Sequence, residues 1–121
     1  MSDASMIVPT DADVRRGVID WLRLPATEHS PADSAQGRIL DMAVAATTSF
    51  VATLPIASAG EESRQRVLMG TIMLASRLHR RRNSPAGIEA MTDAGATYVA
   101  RNDSDVARLL GIDSSIRPVI G

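Results

Sequence analysis

Prolines at positions 9, 25, 31, 55 and 85 partition this chain, and between Pro31 and Pro55 and between Pro55 and Pro85 the apolar residues recur at helical spacing. A chain punctuated in this way is predicted to be mainly α, built on two long helices. In the first interval Ser30 stands as a cap, Pro31 occupies the first helical position and Asp33 lies near the capping-box position. Ile39, Met42, Ala43, Ala46, Phe50 and Leu54 then share one face, so a helix is expected over 31–54, about 36 Å long. Pro55 ends it, and the short IASAG connection over 56–60 lets the next helix return antiparallel.

Glu61 and Glu62 are placed to open that second long helix at its positive end, and Arg80, Arg81 and Arg82 to close it at its negative end. Leu68, Ile72, Ala75 and His79 form one stripe, with Val67, Thr71, Leu74 and Leu78 beside it. So wide an apolar face predicts burial against more than one neighbour. Upstream, Thr10 caps a short helix expected over 11–23, with Val14, Val18, Trp21 and Leu22 at helical spacing and Pro25 beyond its end. Downstream of Asn83-Ser84-Pro85, residues 88–91 and 96–100 read as a small β-hairpin about Thr92-Asp93-Ala94-Gly95, because Thr97, Tyr98 and Val99 favour strand. Asn102 is then expected to cap a last short helix ending at Gly111. The domain organisation is an N-terminal arm over 1–9, one helical domain over 10–111 and an extended tail over 112–121, whose Ile112, Ile116, Val119 and Ile120 make it more apolar than a free tail usually is.

Composition narrows the chemistry. All 13 basic residues are arginine, and there is no lysine and no cysteine. Lysine-dependent phosphate loops, Schiff-base catalysis, thiolate nucleophiles and Cys-based metal sites are thereby excluded. His29 and His79 have no second ligand at metal spacing and no Ser stands in a G-x-S-x-G elbow, so neither an enzyme nor a cofactor or metal site is expected. Only Trp21, Phe50 and Tyr98 are aromatic, which predicts a thin, alanine-rich core that gains from neighbouring subunits. The formal net charge of -1 does not suit a free nucleic-acid binder. It is also uneven: residues 1–60 carry 4 arginines against 7 acids, and residues 61–121 carry 9 against 7. The start of the chain has no basic, apolar leader and no stretch approaches a membrane span, so synthesis in the cytosol is expected.

The arginine cluster is the most pronounced surface feature. Arg77, Arg80 and Arg81 share a helix face, with Arg82 beside them. One reading is a solvated, dipole-complementing helix end; another is recognition of carboxylates on a partner by guanidinium forks. A nucleic-acid-binding regulator using the Arg77–Arg82 face is the alternative from a different class, and an accessory packaging subunit is a more distant one.

The stretch Leu74-Ala75-Ser76-Arg77-Leu78-His79-Arg80-Arg81-Arg82-Asn83-Ser84-Pro85-Ala86-Gly87, followed by Arg101-x-Asp103-x-Asp105-Val106-x-x-Leu109-Leu110-Gly111, resembles head-to-tail adaptor (connector) proteins of long-tailed bacteriophages over about 40 residues. The family's hairpin is usually richer in glycine and aromatics than Met91 to Tyr98. The resemblance implies a non-enzymatic virion protein: a ring, commonly of about twelve copies, that attaches to the portal protein, extends the channel for duplex DNA and carries the stopper or other tail-side neck protein. It also implies partner-interface roles for Arg77, Arg80, Arg81 and Arg82, and for Ile112, Ile116, Arg117, Val119 and Ile120 of the tail.

Overall fold

The computed structural model describes residues 7–112. The chain is mainly α: helix α1 spans Asp11–Leu22, α2 Ala35–Val51, α3 Arg64–Arg80, α4 Asp93–Asn102 and α5 Ser104–Leu109. Single 3-10 turns lie at Ala26–Glu28, Pro55–Ser58 and Glu61–Ser63. No helix among the described residues is long and apolar enough to cross a membrane.

Helix α1 begins as its sequence demands, with the Thr10 hydroxyl accepting from the Asp13 N–H at 3.1 Å. Helix α2 starts later than expected. Its cap is Ser34, whose hydroxyl accepts from the Gly37 N–H at 3.0 Å, rather than Ser30. Residues 31–34 form a turn instead, and Gly37 lies so close beneath it that a Cβ would sit 2.6 Å from the Pro31 and Ala32 carbonyl oxygens. At the other end α2 stops at Val51, short of Pro55, which opens a 3-10 turn. Glu61 and Glu62 belong to a separate 3-10 turn, and Glu61 forms an ion pair with Arg64 at the true start of α3.

The expected β-hairpin is absent: among the described residues there is no strand, and 93–102 form helix α4. The Thr92 hydroxyl caps it by accepting from the Gly95 N–H at 3.2 Å, and Ala96, Val99 and Ala100 give it a buried face at helical spacing. That burial outweighs the strand preference of Thr97, Tyr98 and Val99. Gly95 is required by close approach, since a Cβ there would lie 1.6 Å from the Ala90 carbonyl oxygen. Helix α5 follows almost at once, capped by Asp103 rather than Asn102; the Asp103 carboxylate accepts from the Val106 N–H at 3.0 Å.

Helix α3 is the hub, packing against α1, α2, α4 and α5, as its wide apolar face requires. The larger core gathers Phe50, Val51, Val67, Leu74, Leu78, Val99, Val106 and Leu110 between α2, α3, α4 and α5. A smaller one holds Val14, Val18, Leu40, Val44 and Ala75 where α1 crosses α2 and α3. The packed unit extends past both expected limits. Ile7, assigned by sequence to the arm, is 1% exposed and its N–H donates to the Ala57 carbonyl at 2.9 Å. Ile112, assigned to the tail, donates its N–H to the Ala107 carbonyl at 2.8 Å and packs against the larger core.

The end of α5 is held from a distance. The Arg66 guanidinium donates to the carbonyls of Leu109 at 2.9 Å and Arg108 at 2.8 Å at the helix C-terminus, where carbonyls lack i+4 partners; the Arg108 carbonyl also accepts from the Gly111 N–H at 3.3 Å. Gly111, at φ +68, completes the stop. Replacing Arg66 by Ala is expected to cost about 1–2 kcal/mol in urea unfolding and to speed amide exchange over 104–112 selectively. Arg66→Lys should restore little of this, because an ammonium lacks the fork that reaches both carbonyls. Unchanged exchange in the Ala variant would show that side-chain packing alone holds α5.

Candidate partner interface

The arginines that share one stretch of sequence separate into two kinds in space. Arg77 is half-buried and its Nε donates to the Asp103 carboxylate at 2.7 Å, tying α3 to the start of α5. Burial works against ionisation of Asp103, but the bonds from Val106 and Arg77 outweigh it and hold this carboxyl below its ordinary range. Arg82 donates to Glu28 at 3.2 Å and to the His79 carbonyl at 3.1 Å, fastening the α1–α2 connection to the end of α3. Both side chains thus serve the fold.

Arg80 and Arg81 are exposed. The Arg81 guanidinium carbon stands 5.7 Å from the centre of the Tyr98 ring, within cation–π range, and Tyr98 is itself 60% exposed. Together they edge a shallow groove of about 260 Å³ between α3 and α4, whose floor and walls include Val99, Asn102, Arg77 and Asp103. The run Asn83 to Gly87 sets this edge. Ser84 donates both its N–H and its hydroxyl to the Arg81 carbonyl, at 3.0 and 2.7 Å, and the Gly87 N–H donates to the Ser84 carbonyl at 2.9 Å. Gly87 is buried against the helix end, where a Cβ would meet the Arg81 carbonyl oxygen at 1.8 Å. The motif therefore seals the last turn of α3 while Arg80 and Arg81 stay exposed.

Of the remaining expected interface residues, Ile112 is partly buried in the core, and Ile116, Arg117, Val119 and Ile120 lie outside the described residues. His79 is fully buried, and burial together with the nearby Arg82 charge lowers its pKa to about 4. Buried Thr47 and Thr71 donate to the carbonyls of Ala43 and Val67, whereas Ser76 Oγ and both ring nitrogens of His79 have no hydrogen-bond partner among the described residues. The described residues contain no group of three or more His, Asp or Glu side chains that could hold a metal ion.

A second groove, of about 370 Å³, was not expected. It runs between α1 and α2 and is lined by Asp11, Ala12, Arg15, Asp41, Val44 and Ala45. Asp41 accepts from Arg15 Nε at 2.8 Å and Asp11 accepts from the Thr48 hydroxyl at 2.6 Å. Asp11 stands in the first turn of α1, where local sequence accounts for it as a helix-starting acid. What brings it beside Asp41 is the crossing of two helices, which no local spacing encodes. No protein-family model, no curated protein and no solved structure matches this chain.

Proposed function

We propose that this chain is a structural subunit of the neck of a long-tailed bacteriophage, forming a ring that attaches to the portal, extends the DNA channel and joins head to tail. The observation that carries this reading is the segment from Leu74 to Gly87: an apolar helix ending in an arginine run, sealed by an Asn-Ser-Pro-Ala-Gly turn that leaves Arg80 and Arg81 exposed, Arg81 beside an exposed tyrosine. Exposed guanidinium and tyrosine groups around a groove are what a protein contact uses as anchors. The reading carries with it an antiparallel arrangement of α2 and α3, with the ring closing head to tail and residues of the tail available for the portal.

A nucleic-acid regulator is less well supported. Arg77 and Arg82 are committed to Asp103 and Glu28, which leaves Arg80 and Arg81 as the exposed cations of the expected phosphate-binding face. So few phosphate contacts give weak binding at physiological salt. Imaging of assembled particles tests the proposal: density for this chain is expected as a ring below the portal, and its absence from particles would defeat it. Tight binding of duplex DNA by the free protein, lost in the double variant Arg80→Ala, Arg81→Ala, would instead establish the regulator.

A further inference from the structure

The two grooves differ in a way that makes them fit each other. The α3–α4 groove is edged by an exposed ridge, Arg81 stacked on Tyr98, with Arg77 beneath it paired to Asp103 and exposed Arg80 one residue before Arg81 on the same helix end, which leaves surplus positive charge. The α1–α2 groove is a recess with a small-residue floor of Ala12, Val44 and Ala45 and two carboxylates, Asp11 and Asp41, of which Arg15 offsets one. They are lined by different helices and share no residue. Helix α1 packs on α2 and α3, while α4 packs on α2, α3 and α5. One copy can therefore offer both at once.

The geometry points to a head-to-tail contact between copies of this chain, in which the Arg81–Tyr98 ridge of one seats in the α1–α2 groove of the next. The ring reading above supplies the closure; the contact itself rests on complementarity. A guanidinium meeting a carboxylate at the rim gives register, and the tyrosine ring resting on the exposed Ala12 and Ala45 supplies rigid apolar area. A two-fold contact made through the ridge alone would set Arg80 and Arg81 against their own copies, a repulsive like-charge arrangement. Ridge into groove avoids this and uses a different surface on each copy, so it propagates until it closes. The uneven charge along the sequence has the same sense, with the acidic surplus in residues 1–60 and the basic surplus in residues 61–121.

The absence of native cysteine makes the test clean. Ala94 and Ala45 are exposed, Ala94 one helical turn before Tyr98 and Ala45 on the floor of the other groove, so Cys at either position perturbs little. A short bismaleimide applied to an equimolar mixture of Ala94→Cys and Ala45→Cys proteins, at millimolar concentration, should give the mixed 45–94 dimer, and the chain carrying both substitutions should give a ladder. Adding Arg80→Glu and Arg81→Glu should reduce the adduct on the order of tenfold while the circular-dichroism melt stays in place. Adducts only between like positions, no adduct, or insensitivity to charge reversal would each overturn the contact. The same reagent applied to assembled particles separates the two proposals. A ring at the neck without 45–94 adducts refutes this contact and leaves the neck role standing; a ladder from free protein that is absent from particles does the reverse.

Discussion

Leu74→Ala should lower the stability of this chain by about 3 kcal/mol, measured as the loss in urea-unfolding free energy, and bring its melting temperature down by roughly 15 °C. Leu74 is 0% exposed and lies on α3 amid Phe50, Val67, Leu78, Val99 and Val106, so truncation removes apolar contacts and leaves a cavity. Because α3 touches every other helix, no single neighbour can move in to fill that space without leaving another. The core also lacks reserves: of three aromatic residues Phe50 alone is buried, while Trp21 and Tyr98 are exposed. Met69→Ala, on the exposed side of the same helix, should change stability by under about 0.5 kcal/mol and serves as the control. Equal effects from the two variants would mean that α3 is not the hub of the fold.

Helices α1, α2 and α3 are legible in the sequence because each runs long enough for its apolar period to dominate, and because Thr10 stands at a true cap. Boundaries are less so. Ser30, followed by Pro31, carries the local start signal, yet the helix is capped four residues later by Ser34, because the turn over 31–34 folds back on Gly37. Helix α4 was illegible for a related reason. Glycine at 95 and the β-favouring run from Thr97 to Val99 resemble a turn followed by a strand, and only the packing of Ala96, Val99 and Ala100 on α2 and α3 reveals the helical period.

The candidate interface divides along the same line. Spacing alone placed Arg77, Arg80 and Arg81 on one face. Spacing could not say that Arg77 answers an aspartate 26 residues away, or that Arg82 answers a glutamate 54 residues away. Those two long-range pairs convert a cluster of four into two structural arginines and two outward ones. Tyr98, the aromatic member of the ridge, was hidden by the same misreading that hid α4.

Acid should weaken this fold well above the range in which ordinary carboxylates titrate, and His79 is the reason. Its pKa of about 4 in the folded chain lies below the ordinary 6.5, so between those values the unfolded chain binds a proton that the folded chain refuses. Stability is therefore complete above about pH 6.5 and declines as pH falls toward 4, by up to about 1.4 kcal/mol per pH unit and about 3 kcal/mol in all. The cause is local: the ring is 0% exposed, both nitrogens are without hydrogen-bond partners among the described residues, and Arg82 brings a like charge near. Asp103, held below its ordinary range, adds a further loss only once the pH falls past about 3.8, so the two contributions separate on the pH axis. Urea titrations at pH 7, 6 and 5 should show midpoints falling with pH in the parent chain and nearly constant in His79→Leu, which fills the site with an apolar side chain of similar bulk and removes two unpartnered nitrogens. A His79→Leu protein that keeps the parent slope would assign the acid sensitivity elsewhere, whereas one that flattens it makes this histidine the residue through which the end of α3 responds to protons.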